Sequence, residues 1–503
     1  MPRVLYKVGI ISYFFVSHIM EIIGKIKSFL LENQSIRQTV AKNTFWLSLS
    51  QFVGRLLRAA VVIYAARMLG AESWGAFSYA LGLAAFLTIF ADIGIAGLIT
   101  REASRHPELR QKYLATALGI KIAMLGAGIG IFLYIAPRIT SVTEVLVIFP
   151  VIALLTAFDS LRDLTTSLAR AIEKLELEAA VNIFTNLAIM ILGFAFLSVN
   201  STSKSLATAY VIGSGMGLLA MIFTLREYFR GLIKNFTYSL IKPILTSAWP
   251  FGLMGLMGAF MINTDLIMIG LMRSIGEVGY YSAAQRPIQL LYILPGLLAV
   301  PLFPVMSRLV GEPERFKPIF NKVLRFTIVG ALPVALGGIL LGKEIMLLLY
   351  GSEYLAGAPV FQILSITMLV TFPSLIVGNA IFANNKERDL IYYAIIGAGG
   401  NLLLDLVLIP KYGMVGSSWA TVITQIISNA YAWYRMRSFI GSGLLQGWWR
   451  PILAALAMIL FVLAVKTVSV PVLVTIIAAA AVYLAMLILL KESSLKSIVS
   501  VFR

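Results

Sequence analysis

The chain has 503 residues, of which 59% are hydrophobic and 13% are charged, and its formal net charge is +18. Charged residues are too few to cover the surface of a water-soluble protein of this length. A lipid bilayer must therefore cover most of the protein surface. The chain has no cysteine, and its two histidines, His18 and His106, lie far apart. This composition excludes a disulfide scaffold, thiolate chemistry and a histidine-rich metal site, and we expect neither a metal nor a cofactor.

Residues 1–43 precede the apolar runs and form a segment of their own. Polar residues such as Ser17, Glu21 and Lys25 recur there every three or four positions between apolar ones. This pattern predicts an amphipathic helix that lies on the cytoplasmic surface of the membrane. Two alternatives stay open, a signal peptide and a later translation start at Met20.

Fourteen apolar runs follow, and each is long enough to cross about 30 Å of hydrocarbon as a helix. They lie at about 44–68, 74–100, 113–136, 145–168, 179–199, 206–225, 246–272, 278–306, 323–342, 359–383, 390–409, 415–434, 451–468 and 472–490. The runs are continuous rather than alternating, which favours helices over barrel strands. We therefore predict an all-α polytopic membrane protein with about 14 transmembrane helices.

Lysine and arginine are distributed unevenly over the predicted loops. With a cytoplasmic N-terminus, the cytoplasmic segments hold 28 of the 41 Lys and Arg residues, whereas the external loops hold 5. Lys and Arg accumulate in the cytoplasmic loops of membrane proteins. We therefore predict a multi-pass protein of the plasma (inner) membrane with both termini in the cytoplasm and residues 491–503 as a cytoplasmic tail.

One junction of the chain matches another when the sequence is shifted by 204 residues. Met68, Gly75, Ser78 and Ala80 align with Met272, Gly279, Ser282 and Ala284. Six spans separate the two junctions, so the blocks that contain them have the same orientation in the membrane. The match predicts two six-helix lobes, 44–236 and 244–437, related by a parallel pseudo-repeat, and two additional C-terminal helices within 451–490.

Three arginines are predicted near mid-membrane with no acid on the same helix face. Arg55 and Arg58 lie about 16 and 21 Å from the inner end of the first span, and Arg286 lies about 18 Å from the inner side in the eighth. A guanidinium offers a planar fork of donors that suits phosphate. We therefore predict a substrate-binding anion site; the alternative is ion pairing with Asp92 or Asp265.

The eighth span also carries four prolines. Each proline removes a helix hydrogen bond, so four of them within 18 residues predict a broken helix beside Arg286. They are Pro287, Pro295, Pro301 and Pro304.

Other charged residues in the spans have several interpretations. Asp92, Asp265 and Asp405 fit cation coupling, ion pairing or helix capping. Lys121 and Asp159 lie at similar depths on adjacent spans and fit a structural bridge, although an intrahelical pair of Asp159 with Arg162 is favoured. Arg67, Arg325 and Lys466 lie near span ends, from which they can snorkel to the interface.

The predicted external loops are short, and the longest, 343–358, has 16 residues. A membrane glycosyltransferase or polysaccharide polymerase generally needs a larger external region for its catalytic groups. The run from Gly337 to Glu344 resembles a phosphate-binding loop but has Glu where Ser or Thr must bind magnesium. These observations favour a transporter that is not an enzyme and is not driven by ATP.

Several motifs resemble those of polysaccharide-transport flippases, which export lipid-linked O-antigen and related repeat units. These flippases share a superfamily with lipid II flippases and with multidrug and toxin extrusion antiporters. The motifs are Asp265–Gly270, Val278–Arg286, Leu294-Pro295, Pro304-x-x-Ser307, Asn401-x3-Asp405, Ile409–Thr421 and Phe90–Glu102. The resemblance covers about 44–440, although the proline that interrupts the first helix of some relatives is missing here.

The resemblance implies two six-helix lobes around a cationic cavity, alternating access, and an isoprenoid-pyrophosphate-linked oligosaccharide as cargo for cell-surface polysaccharide biosynthesis. Arg286 matches the cavity arginine of the lipid II flippases in the same Tyr-x4-Arg context, while Arg55 and Arg58 match by helix and depth. Glycosyltransferases and a glycan polymerase are then expected as partners, and nucleic acid is not. Three alternatives stay open: a cation-coupled multidrug antiporter, a membrane glycosyltransferase or polymerase, and a non-transporting scaffold of a glycan-assembly complex.

Overall fold

The computed structural model describes residues 35–91, 93–440, 448–468 and 470–492, and all regular elements in these ranges are helical. Asp92 and most of the predicted amphipathic segment and C-terminal tail lie outside the described residues. The prediction of an all-α protein is confirmed for the described part.

The first half of the chain contains six apolar segments and a short helical connector. Its helices are α1 (Ile36–Ala91), α2 (Ile95–Arg105), α3 (Arg110–Ile139), α4 (Thr143–Ala171), α5 (Leu175–Val199), α6 (Ser203–Thr224), α7 (Arg226–Phe229) and α8 (Leu232–Asn235). Short 3-10 turns precede α3 at Pro107–Leu109 and the second half at Tyr238–Leu240.

The second half repeats this arrangement and adds two helices at its end. Its helices are α9 (Ile241–Met272), α10 (Ile275–Leu291), α11 (Ile293–Arg308), α12 (Pro313–Tyr350), α13 (Ala358–Ser365), α14 (Met368–Ala383), α15 (Glu387–Arg435), α16 (Trp449–Lys466) and α17 (Val472–Leu489). A 3-10 turn at Ser352–Gly357 joins α12 to α13.

Two of the long helices each turn back at a glycine. Gly70 in α1 has a φ of 72° and Gly413 in α15 has a φ of 57°, values that a residue with a Cβ rarely adopts. Each of these helices therefore contains two of the predicted spans. With their four arms and with the bent pairs α10–α11 and α13–α14 each taken as one, the described residues contain all 14 predicted spans.

Nine described helices are apolar and long enough to cross a membrane by length and composition, and the bent pair Ser352–Ser365 and Met368–Ala383 adds a tenth. The pair α10–α11 is not among them, because its two helices have only 17 and 16 residues, and neither are the two arms of α1.

The eighth span is broken, as its prolines predict: α10 ends at Leu291 and α11 begins at Ile293. Two further interruptions were not predicted. The second span ends at Ala91, and α2 begins after Gly94, which has a φ of 83°. The tenth span bends by 44° between α13 and α14.

The buried apolar side chains show how the two halves meet. One large cluster joins both halves and includes Phe77 and Tyr210 of the first and Tyr281 and Tyr354 of the second. Two further clusters lie at the other end of the helices: one combines residues of the first half with Ile244 and Ala248 of α9, and the other lies within the second half. The halves therefore share one large cluster at one end, which we call the sealed end, and are joined at the opposite end through α9.

The two additional helices pack on α12 through a cluster that contains Met458 and Tyr483. The Tyr483 hydroxyl donates to the Val329 carbonyl at 2.8 Å. Arg325, one helical turn before Val329, forms a bidentate ion pair with Glu492, with N–O distances of 2.9 and 3.1 Å. The prediction that Arg325 snorkels to the interface is wrong, because its side chain is only 11% exposed and is held by this carboxylate.

Candidate functional site

Arg286 lies on α10, one residue before Pro287, at the boundary between the two halves. Its guanidinium is within electrostatic range of Arg58 and Tyr210 of the first half and of Tyr350 of the second. Its Nε is buried and has no hydrogen-bond partner among the described residues. A cationic side chain that is mostly withdrawn from solvent, without a counter-charge, is a candidate for binding an anion.

Arg58 lies on the first arm of α1 and faces α5. Its Nη2 donates to the Asn186 Oδ1 at 3.2 Å, and its guanidinium is also within electrostatic range of Tyr210. Arg55, one turn away on α1, is exposed and makes no ion pair or hydrogen bond within the described ranges. The structure thus brings Arg58 and Arg286 together from the two halves, with Tyr210 between them.

The alternative of an ion pair between Arg286 and Asp265 does not hold, because Asp265 has other partners. Its Oδ2 accepts from the Tyr281 hydroxyl at 2.5 Å and from the Thr421 hydroxyl at 2.9 Å. The Asp405 carboxyl lies against that of Asp265. The residues of this cluster come from α9, α10 and both arms of α15.

This pair of carboxyl groups is deeply buried within the second half. Asp265 and Asp405 are 3% and 0% exposed. Neither oxygen of Asp405 has a donor of good geometry in the part of the chain that the structure describes. Two adjacent carboxylates out of water cannot both stay charged on their own: either they share a proton, which neutralises one of them, or they bind a cation between them. The Asn401 amide and the Thr421 hydroxyl also lie beside the pair, and the Asn401 Nδ2 donates to the Thr421 hydroxyl at 3.4 Å.

Asp159 is occupied within the first half. The Arg162 Nη2 lies 2.8 Å from its Oδ1, and the Ser214 hydroxyl donates to the same oxygen at 2.5 Å. The intrahelical pair is therefore confirmed. Lys121 is completely buried, and its bridge to Asp159 stays a prediction.

Two cavities lie inside the halves rather than at the arginines. One of about 320 Å³ lies between α1 and α4, where it is bordered by Asp159 and Asp163. One of about 540 Å³ lies between α14 and the second arm of α15, beside Asn429 and Trp433. Arg55, Arg58 and Arg286 line neither of them.

The sealed end is closed by a glycine contact between the two halves. A Cβ on Gly75 would lie 2.0 Å from the Ile275 carbonyl oxygen, and a Cβ on Gly279 would lie 1.9 Å from the Ala71 carbonyl oxygen. These are the positions that the internal repeat aligns. Only residues without a side chain allow two helix backbones to approach this closely.

Polar groups from the turns reinforce this closure. The Glu353 Oε1 accepts from the Ala71 amide at 2.7 Å, beside the positive-φ Gly70. In the other direction, the Arg67 Nε donates to the Leu349 carbonyl at 2.7 Å, and its Nη2 donates to the Leu348 carbonyl. Arg67 therefore caps a helix end of the opposite half rather than snorkelling.

The sequence analysis missed Asn186, Tyr210 and Tyr350, because it considered only charged residues inside the spans. One signal was available for Asn186. Asn182 and Asn186 lie at i and i+4 in an otherwise apolar span, and buried amides in a membrane helix require a partner. The tyrosines carry no such signal, since tyrosine is common in apolar helices.

Comparisons with known proteins give one consistent family. The family described as "Polysaccharide biosynthesis protein" matches residues 40–310. The chain is 23% identical to the probable low-salt glycan biosynthesis flippase Agl15 of Haloferax volcanii, across 80% of this chain and 84% of that protein. It is 24% identical to the succinoglycan biosynthesis transport protein ExoT of Rhizobium meliloti, across 84% of this chain and 86% of that protein.

Among solved structures, the fold is similar to that of the lipid II flippase MurJ in an inward closed conformation. The TM-score is 0.73 at 18% sequence identity, and the match covers 88% of this chain and 98% of MurJ. At this level of identity the match establishes the arrangement of the helices. It agrees with the fourteen spans read from the sequence.

Proposed function

Because this chain belongs to the polysaccharide biosynthesis protein family, we propose that it is a flippase for an isoprenoid-pyrophosphate-linked oligosaccharide. It moves this cargo from the cytoplasmic to the outer leaflet of the plasma membrane by alternating access, and it acts as a transporter rather than an enzyme. The names of Agl15, a glycan biosynthesis flippase, and of ExoT, a succinoglycan transport protein, support this class of cargo.

The observation that carries the proposal is the state of Arg286. This guanidinium lies where the two halves meet, close to Arg58, and no carboxylate among the described residues neutralises it. A pyrophosphate carries two to three negative charges, and each charge-assisted hydrogen bond contributes about 1.5–3 kcal/mol. Arg58, Arg286 and the nearby Arg55 can therefore offset much of the hydration that the head group loses.

The sidedness follows from the distribution of basic residues. With both termini in the cytoplasm, the turns at Gly70, Gly351 and Gly413 face outward, so the sealed end is the external one. At the cytoplasmic end the halves meet through α9, whose Ile244 and Ala248 pack in the core of the first half, so loading from the cytoplasm requires this contact to open. Binding of one pyrophosphate to arginines of both halves relieves their mutual repulsion and favours a closed intermediate.

The buried carboxyl pair gives the transporter a means of coupling to an ion gradient. Asp265 and Asp405 hold one proton or one monovalent cation between them. When this ion leaves, the two carboxylates repel each other inside the second half. A cation-coupled multidrug antiporter, the second candidate, would use such a pair as well. Organic cations require acidic groups at the substrate site, however, whereas arginines meet between the halves here.

The test is surface-glycan production in a strain that lacks its own flippase. We expect Arg286→Ala to abolish complementation at normal abundance, because the main phosphate ligand is lost. Arg286→Lys keeps the charge but loses the planar fork, so we expect partial activity.

Arg138→Ala is the matched control. Arg138 is exposed at the end of α3, and its contacts within the described part of the chain are with Tyr134 of its own helix: it donates to the Tyr134 carbonyl at 2.5 Å and lies 3.9 Å from the centre of the Tyr134 ring. We expect it to complement fully. Full complementation by Arg286→Ala at equal abundance would refute the role of the arginine site.

A further inference from the structure

Arg58 is held by an uncharged group. Its hydrogen bond goes to the side-chain amide of Asn186, which is 4% exposed and lies on α5. An arginine inside a membrane protein is usually paired with an acid. An amide oxygen instead restrains the guanidinium and leaves its full charge for another partner.

The orientation of the Asn186 amide is fixed by the helix that carries it. Its Nδ2 donates to the Asn182 backbone carbonyl at 2.8 Å and to the Asn182 Oδ1 at 3.1 Å. The Nδ2 of Asn182 in turn donates to the Ser50 carbonyl on α1 at 3.4 Å. With its NH₂ group committed to these acceptors, Asn186 can present only its oxygen to Arg58.

A glycine on α1 brings the two helices close enough for this contact. A Cβ on Gly54 would lie 3.1 Å from the Asn186 Nδ2 and 3.4 Å from the Asn182 Nδ2. Gly54 lies one helical turn before Arg58. The glycine, the two amides and the arginine therefore form one structural unit between α1 and α5.

We infer that Asn186 is a positioning and selectivity residue, which holds Arg58 in place for a multivalent anion without neutralising it. The inference rests on the proposed function, because the anion is the pyrophosphate of the cargo. A carboxylate at this position would have the same size but would pair with Arg58. Asp159, which lies within electrostatic range of the neighbouring Tyr210, is already paired with Arg162.

The test measures binding of farnesyl pyrophosphate to the purified full chain in lipid nanodiscs, as a function of salt. We expect Asn186→Asp to weaken binding by about ten- to one hundredfold, the equivalent of one charge-assisted hydrogen bond. The salt dependence of the affinity should become shallower, since one fewer positive charge faces the ligand. Because aspartate also lacks the NH₂ group that donates to Asn182, the thermal stability of Asn186→Asp is measured alongside its binding.

Asn186→Ala separates charge from position. It frees the Arg58 side chain but leaves its charge, so we expect binding to weaken by about threefold with an unchanged salt dependence. Asn200→Asp is the control for added charge, because Asn200 is exposed in the turn between α5 and α6. It should bind like the wild type.

The outcomes distinguish the two proposals. If the wild type binds farnesyl pyrophosphate and Asn186→Asp binds it equally well with the same salt dependence, Asn186 is only structural and this inference is overturned. If the wild type does not bind farnesyl pyrophosphate, the proposed function itself fails.

Discussion

Arg325 and Arg286 are the same residue type in neighbouring segments of one lobe, but their surroundings assign them different roles. Arg325 is held by both oxygens of Glu492, so its charge is used inside the protein. Arg286 has no such partner among the described residues, and its Nε is unsatisfied. Asp265 and Asp405 differ from both arginines, because two acidic groups lie side by side and need a proton or a cation between them.

The Arg325–Glu492 pair ties the last described residues to α12, and its removal should destabilise the fold. The Glu492 side chain is 0% exposed, so Glu492→Gln leaves a buried arginine without its counter-charge. We expect a loss of about 3–5 kcal/mol in the free energy of unfolding. The double variant Arg325→Met/Glu492→Leu should recover most of it, as measured by thermal unfolding in detergent. Equal losses in the single and double variants would contradict this account.

The carboxyl pair predicts that a small cation stabilises the protein. Sodium ions, or protons at lower pH, should raise the Tm of the wild type, because a ligand that binds only the folded state stabilises it. Asp405→Asn removes one charge of the pair, so its Tm should respond less to sodium and to lower pH than that of the wild type. Choline chloride at equal ionic strength is the control. A wild-type Tm that changes with neither ion would exclude the coupling site.

Sequence reasoning found the arginines because a charge inside an apolar span is conspicuous, but it could not pair them. Asp265 is 140 residues from Asp405, and their contact depends on how α9 packs against α15. Glu492 was assigned to a tail beyond the last span, so Arg325 had no visible partner. Pairings across helices are set by packing, which hydropathy does not encode.

At the scale of helices, the sequence predicted where segments cross the membrane better than where they bend. The prolines of the eighth span predicted the break that the structure has at Tyr292, between α10 and α11. The bend between α13 and α14 lies at Ile366 and Thr367, where no proline or glycine marks it. At this bend the Tyr292 hydroxyl lies 2.9 Å from the Thr367 hydroxyl, a contact with another span that the sequence does not encode locally.

The crossing of the second span and α10 must open if the transporter is to release cargo through the sealed end. A Cβ on Gly276 would lie 3.9 Å from the Glu72 Cγ, so cysteines at these two positions are close enough for a disulfide. The chain has no native cysteine, so no background cross-link exists. We expect oxidation of Glu72→Cys/Gly276→Cys to stop transport and a reductant to restore it.

The cross-link is detected as a disulfide that joins the two fragments after cleavage at a protease site inserted beside Gly231 in the connector. Each single cysteine variant serves as a control for the substitution itself and should transport with or without oxidant. Unchanged transport in a fully cross-linked protein would mean that this crossing never separates.

At the scale of the whole molecule, the composition and the spans were sufficient for the fold class. Fourteen apolar runs and a consistent charge pattern leave few arrangements of helices, and the observed fold is one shared with a known flippase. The internal repeat predicted that positions 68–80 and 272–284 are equivalent. The repeat could not show that these two segments are in contact, because two segments of similar sequence can lie at any distance from each other in the fold.

The contact between the second span and α10 at Gly75 and Gly279 is reciprocal, as in the interface of a homodimer. Gly75 meets residue 275 and Gly279 meets residue 71, so each contact becomes the other under the 204-residue shift. A contact of this reciprocal kind is what two identical subunits form about a two-fold axis. An ancestral six-helix chain with both termini on one side of the membrane would have dimerised through this surface. Gene duplication and fusion would then have joined the two subunits through the connector.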